Sequence, residues 1–347
     1  MNKITKLGVS ALCGSLAAVS AVSAGEMSVS GTANVTWVKL GHGETGNPMG
    51  MKSNLSFSGS GELDGGQTFA LTIDNTDQNA YSAADIALTT NSLGTINLNQ
   101  AGGGGGIGGY DDNMPRAWEE IWDTGVGSGV DLAKGVGSSM HVGWVSPSFA
   151  GVTIKAAYAP KYGAGAQNDK SVGGAGGIYG SGYDIVLDLK PEMVSGLELF
   201  AGYSAVELDN GTFGVAGHQK AKDDFESGTA GIIYALGPIK AGYQRTVEHF
   251  ANQVAGSTEY YANMSWGVSF NVNDDLSVSY GKFQSRKGFI SREDNETKIM
   301  EGDSLQASYT MGGMTIAIAD TEMDNSTYAT ASANQHEALS LSLTLAF

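Results

Sequence analysis

The sequence predicts an all-β fold: a sixteen-stranded antiparallel β-barrel of the membrane-spanning kind, with an inward-folded third loop. Three observations predict it. Apolar and polar residues alternate with period two along most of the chain. The connections between alternating segments are short and long by turns. The last segment of this kind runs to Phe347, with nothing after it to cover a sheet edge.

The alternation is plain in several places. Leu55, Phe57, Gly59, Gly61 and Leu63 alternate with Asn54, Ser56, Ser58, Ser60 and Glu62. Phe69, Leu71 and Ile73 alternate with Thr68, Ala70, Thr72 and Asp74, and Leu339, Leu341, Leu343, Leu345 and Phe347 with Ser340, Ser342, Thr344 and Ala346. Each strand therefore has one apolar and one polar face. Sixteen such segments are expected, near 27–39, 52–63, 67–75, 83–90, 95–100, 139–146, 151–159, 181–190, 196–207, 224–236, 238–249, 258–272, 276–287, 302–311, 314–323 and 337–347. Many approach the roughly 9–11 residues that a tilted strand needs to cross a bilayer.

A soluble β-sandwich gives the same alternation, but it has no reason to alternate its loop lengths. Short turns are expected at Asp64-Gly65-Gly66, Asn91 to Gly94, Gly237, Asn273 to Asp275 and Gly312-Gly313. Long polar segments are expected at 40–51, 160–180, 208–223, 288–301 and 324–336. A membrane barrel has short turns on one side and long loops on the other, and an even strand count puts both ends on the short-turn side. Closure pairs the last strand with the first and leaves no edge.

The polar face carries Asn97, Asn99, Asp184, Asp188, Gln306, Lys155 and Lys240. A charge facing lipid at mid-bilayer costs about 2–4 kcal/mol, so this face is expected to line a wet lumen. Trp37, Tyr158, Tyr203, Tyr234, Tyr260, Tyr280 and Tyr309 lie near strand ends and suit interfacial girdles.

Residues 1–24 read as a signal peptide. Lys3 and Lys6 precede the apolar and small residues from Leu7 to Ser23, and Val22-Ser23-Ala24 forms a small-residue cleavage site before Gly25. A membrane anchor is the rival, but the run is mostly Ala, Ser, Gly and Val. Cys13, the only cysteine, lies inside it, after a Leu12 too bulky for a lipoprotein site. The expected mature chain, 25–347, is then a single domain without disulfides or thiolate chemistry. Loss of Lys3 and Lys6 takes the formal net charge from −17 to −19. That field argues against nucleic acid and anionic surfaces as partners, and it enriches cations in any water path. No other window holds 18 apolar residues, which excludes a helical membrane bundle. The 51 glycines against six prolines fit many turns.

The segment 100–138 interrupts the alternation. It opens with Gly102 to Gly106 and then Asp111-Asp112. Proline suits the first position of a helix, so a short helix is expected from Pro115. Trp118, Ile121 and Trp122 would form its apolar stripe, opposite Arg116, Glu119, Glu120 and Asp123. Such a helix needs an apolar surface to lean on and water to face, and folding inward against a barrel wall supplies both. The segment reads as a constriction, with Asp111, Asp112, Glu119, Glu120 and Asp123 narrowing the pore and favouring cations. An external loop with solvated acids is the alternative.

The stretch from Val142 through Trp144, Ser146-Pro147, Phe149 and Gly151-Val152 to Tyr158 resembles a strand–turn–strand signature of Gram-negative general porins. So do Leu93-Gly94-Thr95-Ile96, which in that family leads into the inward third loop, the hairpin from Ser308 to Thr315, and the ending from Leu343 to Phe347. The resemblance covers essentially the whole mature chain. It implies a homotrimer in the cell outer membrane, among outer-membrane lipid and lipopolysaccharide, passing small hydrophilic solutes by diffusion. It also implies that the barrel-assembly machinery reads Phe347. One departure stands out: the family usually opposes the acidic loop with wall arginines, but here no arginine precedes Arg116. Lys39 and Lys52 lie near the first loop, and Lys52, Lys155 and Lys240 are scattered candidates for lumenal cations.

Other chemistry is poorly supported. Gly104, Gly106 and Gly109 match a dinucleotide fingerprint, but no βαβ unit surrounds them. His42, His141, His218, His249 and His336 are dispersed, and neither HExxH nor GxSxG occurs. No enzyme and no cofactor are expected. Structural calcium is a weak option at Asp111, Asp112 and Asp131, or at Asp294, Glu296, Glu301 and Asp303. The alternatives are a substrate-specific porin, which a ladder of lumenal aromatics would mark, and a soluble adhesin or surface-layer β-protein.

Overall fold

A computed structural model describes residues 27–41, 46–77, 83–100, 106–136, 139–160, 179–208, 224–250, 256–290, 298–329 and 335–347. The expected signal peptide, Gly102 to Gly105, Asp294 and Glu296 lie outside the described residues. The strands are β1 (Met27–Leu40), β2 (Met49–Glu62), β3 (Thr68–Thr76), β4 (Ala83–Thr89), β5 (Thr95–Gln100), β6 (His141–Val145), β7 (Val152–Ala159) and β8 (Tyr179–Leu189). They continue as β9 (Leu197–Leu208), β10 (Phe225–Leu236), β11 (Ile239–His249), β12 (Thr258–Asn271), β13 (Leu276–Phe289), β14 (Lys298–Met311), β15 (Met314–Asp324) and β16 (His336–Ala346). All pair antiparallel with their chain neighbours, and β1 pairs with β16 from Thr32↔Ala346 to Leu40↔Ala338, closing a sixteen-stranded barrel. Phe347 extends that seam, exchanging backbone hydrogen bonds with Gly31 at 2.9 and 3.0 Å.

Period two separates the faces. On β16, Leu339, Leu341, Leu343 and Leu345 are exposed outward while Ser340 and Ser342 are buried inward. With no second sheet among the described residues to cover it, an exposed apolar row on a closed barrel is the surface that faces hydrocarbon. The outer face is not apolar over its full height. Beyond Tyr280 and Leu305, toward the long loops, it carries Lys282, Asp303 and Glu322 in one register row, so the apolar band ends there.

The inward face binds the segment 106–136. Three apolar clusters hold it, gathered around Ile107, Tyr110 and Met114, around Val126 with Phe283, Met300 and Met323, and around Val136 with Val206 and Phe225.

The expected helix from Pro115 does not form. The segment makes a short 3₁₀ turn at Ile107–Tyr110 and then runs irregularly, with a turn closed by Asp123 N–H to the Glu120 carbonyl at 3.0 Å. A helix satisfies its own backbone groups, whereas here the wall satisfies them. Ser279 Oγ accepts from Ala117 N–H at 2.8 Å, and Gln306 Oε1 accepts from Trp118 N–H at 3.0 Å. The expected apolar contact survives without the helix, since Ile121 and Trp122 pack on the second cluster and the Trp122 and Phe283 rings lie 4.4 Å apart.

Candidate pore constriction

The inward polar residues are spaced to receive the loop strand by strand. On β10 and β11, Thr229 Oγ1 and Gln244 Nε2 both donate to the Tyr110 carbonyl, at 2.7 and 2.6 Å. Gln244 Oε1 accepts from Asn113 N–H at 2.8 Å. On β14, Gln306 Nε2 donates to the Glu119 carbonyl at 2.7 Å. Thr124 bonds to Thr321 of β15 at 2.7 Å, and its carbonyl accepts from Ser340 of β16. The chain then returns past Asn263 of β12, whose Nδ2 donates to the Asp131 carbonyl at 2.8 Å, to Asp184 of β8. The segment thus runs out along the wall from β8 to β16 and back.

The five acids singled out in the sequence lie along this excursion, linked through Glu120. Asp111 is pushed up to about 7, by burial first and then by the charge of Asp112. Burial also raises Asp112 to about 6, with the hydrogen bond and charge of Glu120 adding to it and Arg116 opposing it. Arg116 pairs with Glu120, and its Nη1 donates to the Asp112 carbonyl at 2.6 Å. Glu119, Glu120 and Asp123 present carboxylate oxygens within 4.8 Å of one another. Asp123 is exposed and the other four acids are partly buried.

The basic candidates do not join them. Lys155 sits on the inward face of β7, with Nζ 4.6 Å from the centre of the Tyr110 ring. Lys52 is exposed on the inward face of β2, paired in register with Asn34. Lys240 is exposed near the short-turn end of β11.

The remaining wall, β1 to β5, presents hydroxyls and amides inward. Asn34 donates to Ser342 and Thr344 at 2.7 Å each, Ser58 meets Thr72 at 3.3 Å, and Asn99 donates to Asp85 at 3.1 Å. Its inward charges are Lys52, Glu62, Asp74 and Asp85, with no arginine. The sequence reading set Asp74 in a polar row without assigning it to the lumen, and it missed Asp85, whose phase beside Asn97 and Asn99 marks it as inward. It also missed the anchoring roles of Gln244, Asn263, Thr321 and Asp184.

Of the calcium candidates, Asp294 and Glu296 lie outside the described residues. Asp131 pairs with Lys134, while Glu301 and Asp303 face outward and accept from Gln284 and Tyr280. His141 and His336 bind the carbonyls of Ser139 and Val126 and are not grouped.

A closed barrel with an apolar outer face and a polar segment bound along its inner wall is the architecture of an outer-membrane channel. The family model for Gram-negative porins matches residues 8–327. The chain belongs to that family, and with it to the outer membrane. No curated protein sequence matches it. Among solved structures it is similar to Salmonella typhi OmpF in complex with daunomycin, at TM-score 0.69 and 15% identity, covering 93% of this chain and 98% of that one. It is also similar to in-vitro folded OmpT, an outer-membrane protein of Vibrio cholerae, at 0.65 and 11%, covering 95% and 100%. The anion-selective porin of Comamonas acidovorans gives 0.62 and 12%, covering 93% and 100%.

Proposed function

We propose that the protein is a passive, water-filled channel for small hydrophilic solutes, that it prefers cations, and that it is not an enzyme. The observation that carries this reading is the charge of the segment on the inner wall. It brings Asp111, Asp112, Glu119, Glu120 and Asp123 together, with Arg116 already paired to Glu120. The β1–β5 wall adds Asp74 and Asp85 and offers Lys52 alone as a cation. The likeness to an anion-selective porin does not oppose this, because the fold leaves the sign of selectivity to these side chains. Fixed negative charge beside a narrow water path raises the local cation concentration.

A substrate-specific channel is the weaker reading. A run of rings does exist, with Phe225–Phe250, Phe250–Tyr261 and Tyr261–Tyr328 centroids 5.1, 5.7 and 5.1 Å apart. Phe225, Tyr261 and Tyr328 are buried under the returning limb of the loop, so the run is packing and not a surface on which a solute slides.

Homotrimerisation, contact with lipopolysaccharide, and recognition of Phe347 by the barrel-assembly machinery belong to the same reading, on the strength of the family resemblance. The test is reversal potential in a planar bilayer under a salt gradient. Stepwise openings with a cation-selective potential are expected. Neutralising the five loop acids to Asn or Gln should abolish the selectivity, and a selectivity unchanged by that variant refutes the assignment.

A further inference from the structure

Wall side chains hold the constricting segment at many points, but among the described residues one holds both of its ends. Asp184 of β8 is 2% exposed. Its Oδ2 accepts from Ile107 N–H at 3.0 Å, where the segment leaves the neck. Val136 N–H, where the segment returns, lies 3.1 Å from both Oδ1 and Oδ2. Between these amides the chain makes its whole excursion past β16 and back, so a single carboxylate closes the loop at its base.

Two glycines let the limbs close on that carboxylate. A Cβ at Gly106 would stand 1.8 Å from Asp184 Oδ2, and one at Gly135 would stand 2.1 Å from it and 2.4 Å from Ile107 Cγ2. Other anchors hold one limb each: neutral Thr229, Gln244, Ser279 and Gln306 the outgoing limb and Asn263 the return, while Asp188 takes only the Tyr110 hydroxyl of the outgoing limb at 3.0 Å and Glu248 meets only Lys134 of the return at 3.8 Å. A charged acceptor makes the stronger bonds, and a carboxylate offers both limbs lone pairs on either oxygen and no donor to clash with their N–H groups.

We propose that Asp184 is the positioning residue of the channel, a clasp that fixes the acidic segment by gripping both of its limbs; this rests on the channel reading above. The isosteric variant Asp184→Asn deprives both limbs of a charged acceptor, and in either orientation of the amide its N–H₂ stands against at least one of the two backbone N–H groups.

The experiment measures amide hydrogen exchange on the full barrel in detergent and current noise of the same protein in planar bilayers. Heat-modifiable migration in gels verifies folding. In Asp184→Asn, peptides covering 106–110 and 134–136 should exchange together, by about tenfold or more, and open-channel current should flicker between substates. Ser279→Ala, which removes a bond to the outgoing limb alone, should leave 134–136 protected. Unchanged exchange, or loosening of one limb without the other, overturns the clasp. Loosening of both limbs with a current as quiet as the wild type's overturns its role in setting the constriction. If the wild type passes no current, the channel reading fails, and the exchange data still decide the clasp. Should Asp184→Asn not fold, Gly135→Ala tests the same neck while keeping the carboxylate.

Discussion

The sharpest consequence of the geometry is a selectivity that titrates near neutral pH. An ordinary aspartate is ionised throughout the range above about pH 5. Asp111 and Asp112 are not ordinary, because burial raises both, to about 7 and about 6, with the charge of Asp112 adding at Asp111 and Glu120 adding at Asp112. At pH 8 Asp111 and Asp112 are both charged, and by about pH 5 both are mostly neutral. The segment therefore sheds two negative charges across that range. Under a fixed salt gradient the reversal potential should fall toward zero, with its steepest change between about pH 7.5 and 5.5. The double variant D111N/D112N should start at the lower selectivity and stay flat across that range. A wild-type potential constant from pH 8 down to about 5, falling only where ordinary carboxylates titrate, refutes the reasoning.

The same shift has a sign for stability. Raised acids bind more protons folded than unfolded in the interval between their unfolded and folded values, so the segment's hold on the wall strengthens as pH falls from about 7 toward 4. The charged form of Asp111 is disfavoured by roughly 4 kcal/mol before solvent screening and coupling to Asp112, and by about half that after them. Protection factors at residues 110–113, corrected for the intrinsic pH dependence of amide exchange, should therefore be higher at pH 5 than at pH 8.

Other outcomes follow from single contacts. Arg116→Gln removes the cation between Asp112 and Glu120, so at pH 8 cation selectivity should rise and the lower titration, that of Asp112, should move to higher pH, as reversal potentials read it. Gln306→Leu strands the Trp118 N–H and the Glu119 carbonyl, at a cost of about 1–3 kcal/mol to the loop's hold, visible as faster exchange at 117–120 with an intact barrel. Gly31→Val places a side chain within 2.7 Å of the Phe347 ring and 2.8 Å of the Asn54 carbonyl, so the β1–β16 seam should close slowly and the heat-modifiable band should weaken.

The barrel was legible because its signal is redundant. Every strand repeats the same period-two pattern, and the expected and observed boundaries differ by at most four residues, the largest gap being the earlier start of β14 at Lys298. The segment 106–136 stood out in composition and was misread in conformation. Pro115 with Trp118, Ile121 and Trp122 satisfies a helical pattern, yet the donors of Ala117 and Trp118 go to Ser279 and Gln306, more than 150 residues away. Local sequence cannot announce such partners. Asp184 was read as lumenal from its phase, but its grip on Ile107 and Val136 depends on where two distant turns of chain meet.

The inward face thus serves two solvents. Where it meets water, along β1–β5, its hydroxyls and amides bond mostly to one another across the strands, as Asn34 does to Ser342 and Ser58 to Thr72. Where it meets the loop, along β8–β16, the same kinds of side chain bond to the loop's backbone. A buried backbone group without a partner costs as much as a lost hydrogen bond. An irregular segment inside a barrel therefore persists only where the wall supplies partners in the right order. The backbone is held by neutral wall residues and one buried carboxylate, so Glu119 and Asp123 are not consumed in anchoring and can be exchanged without unseating the loop.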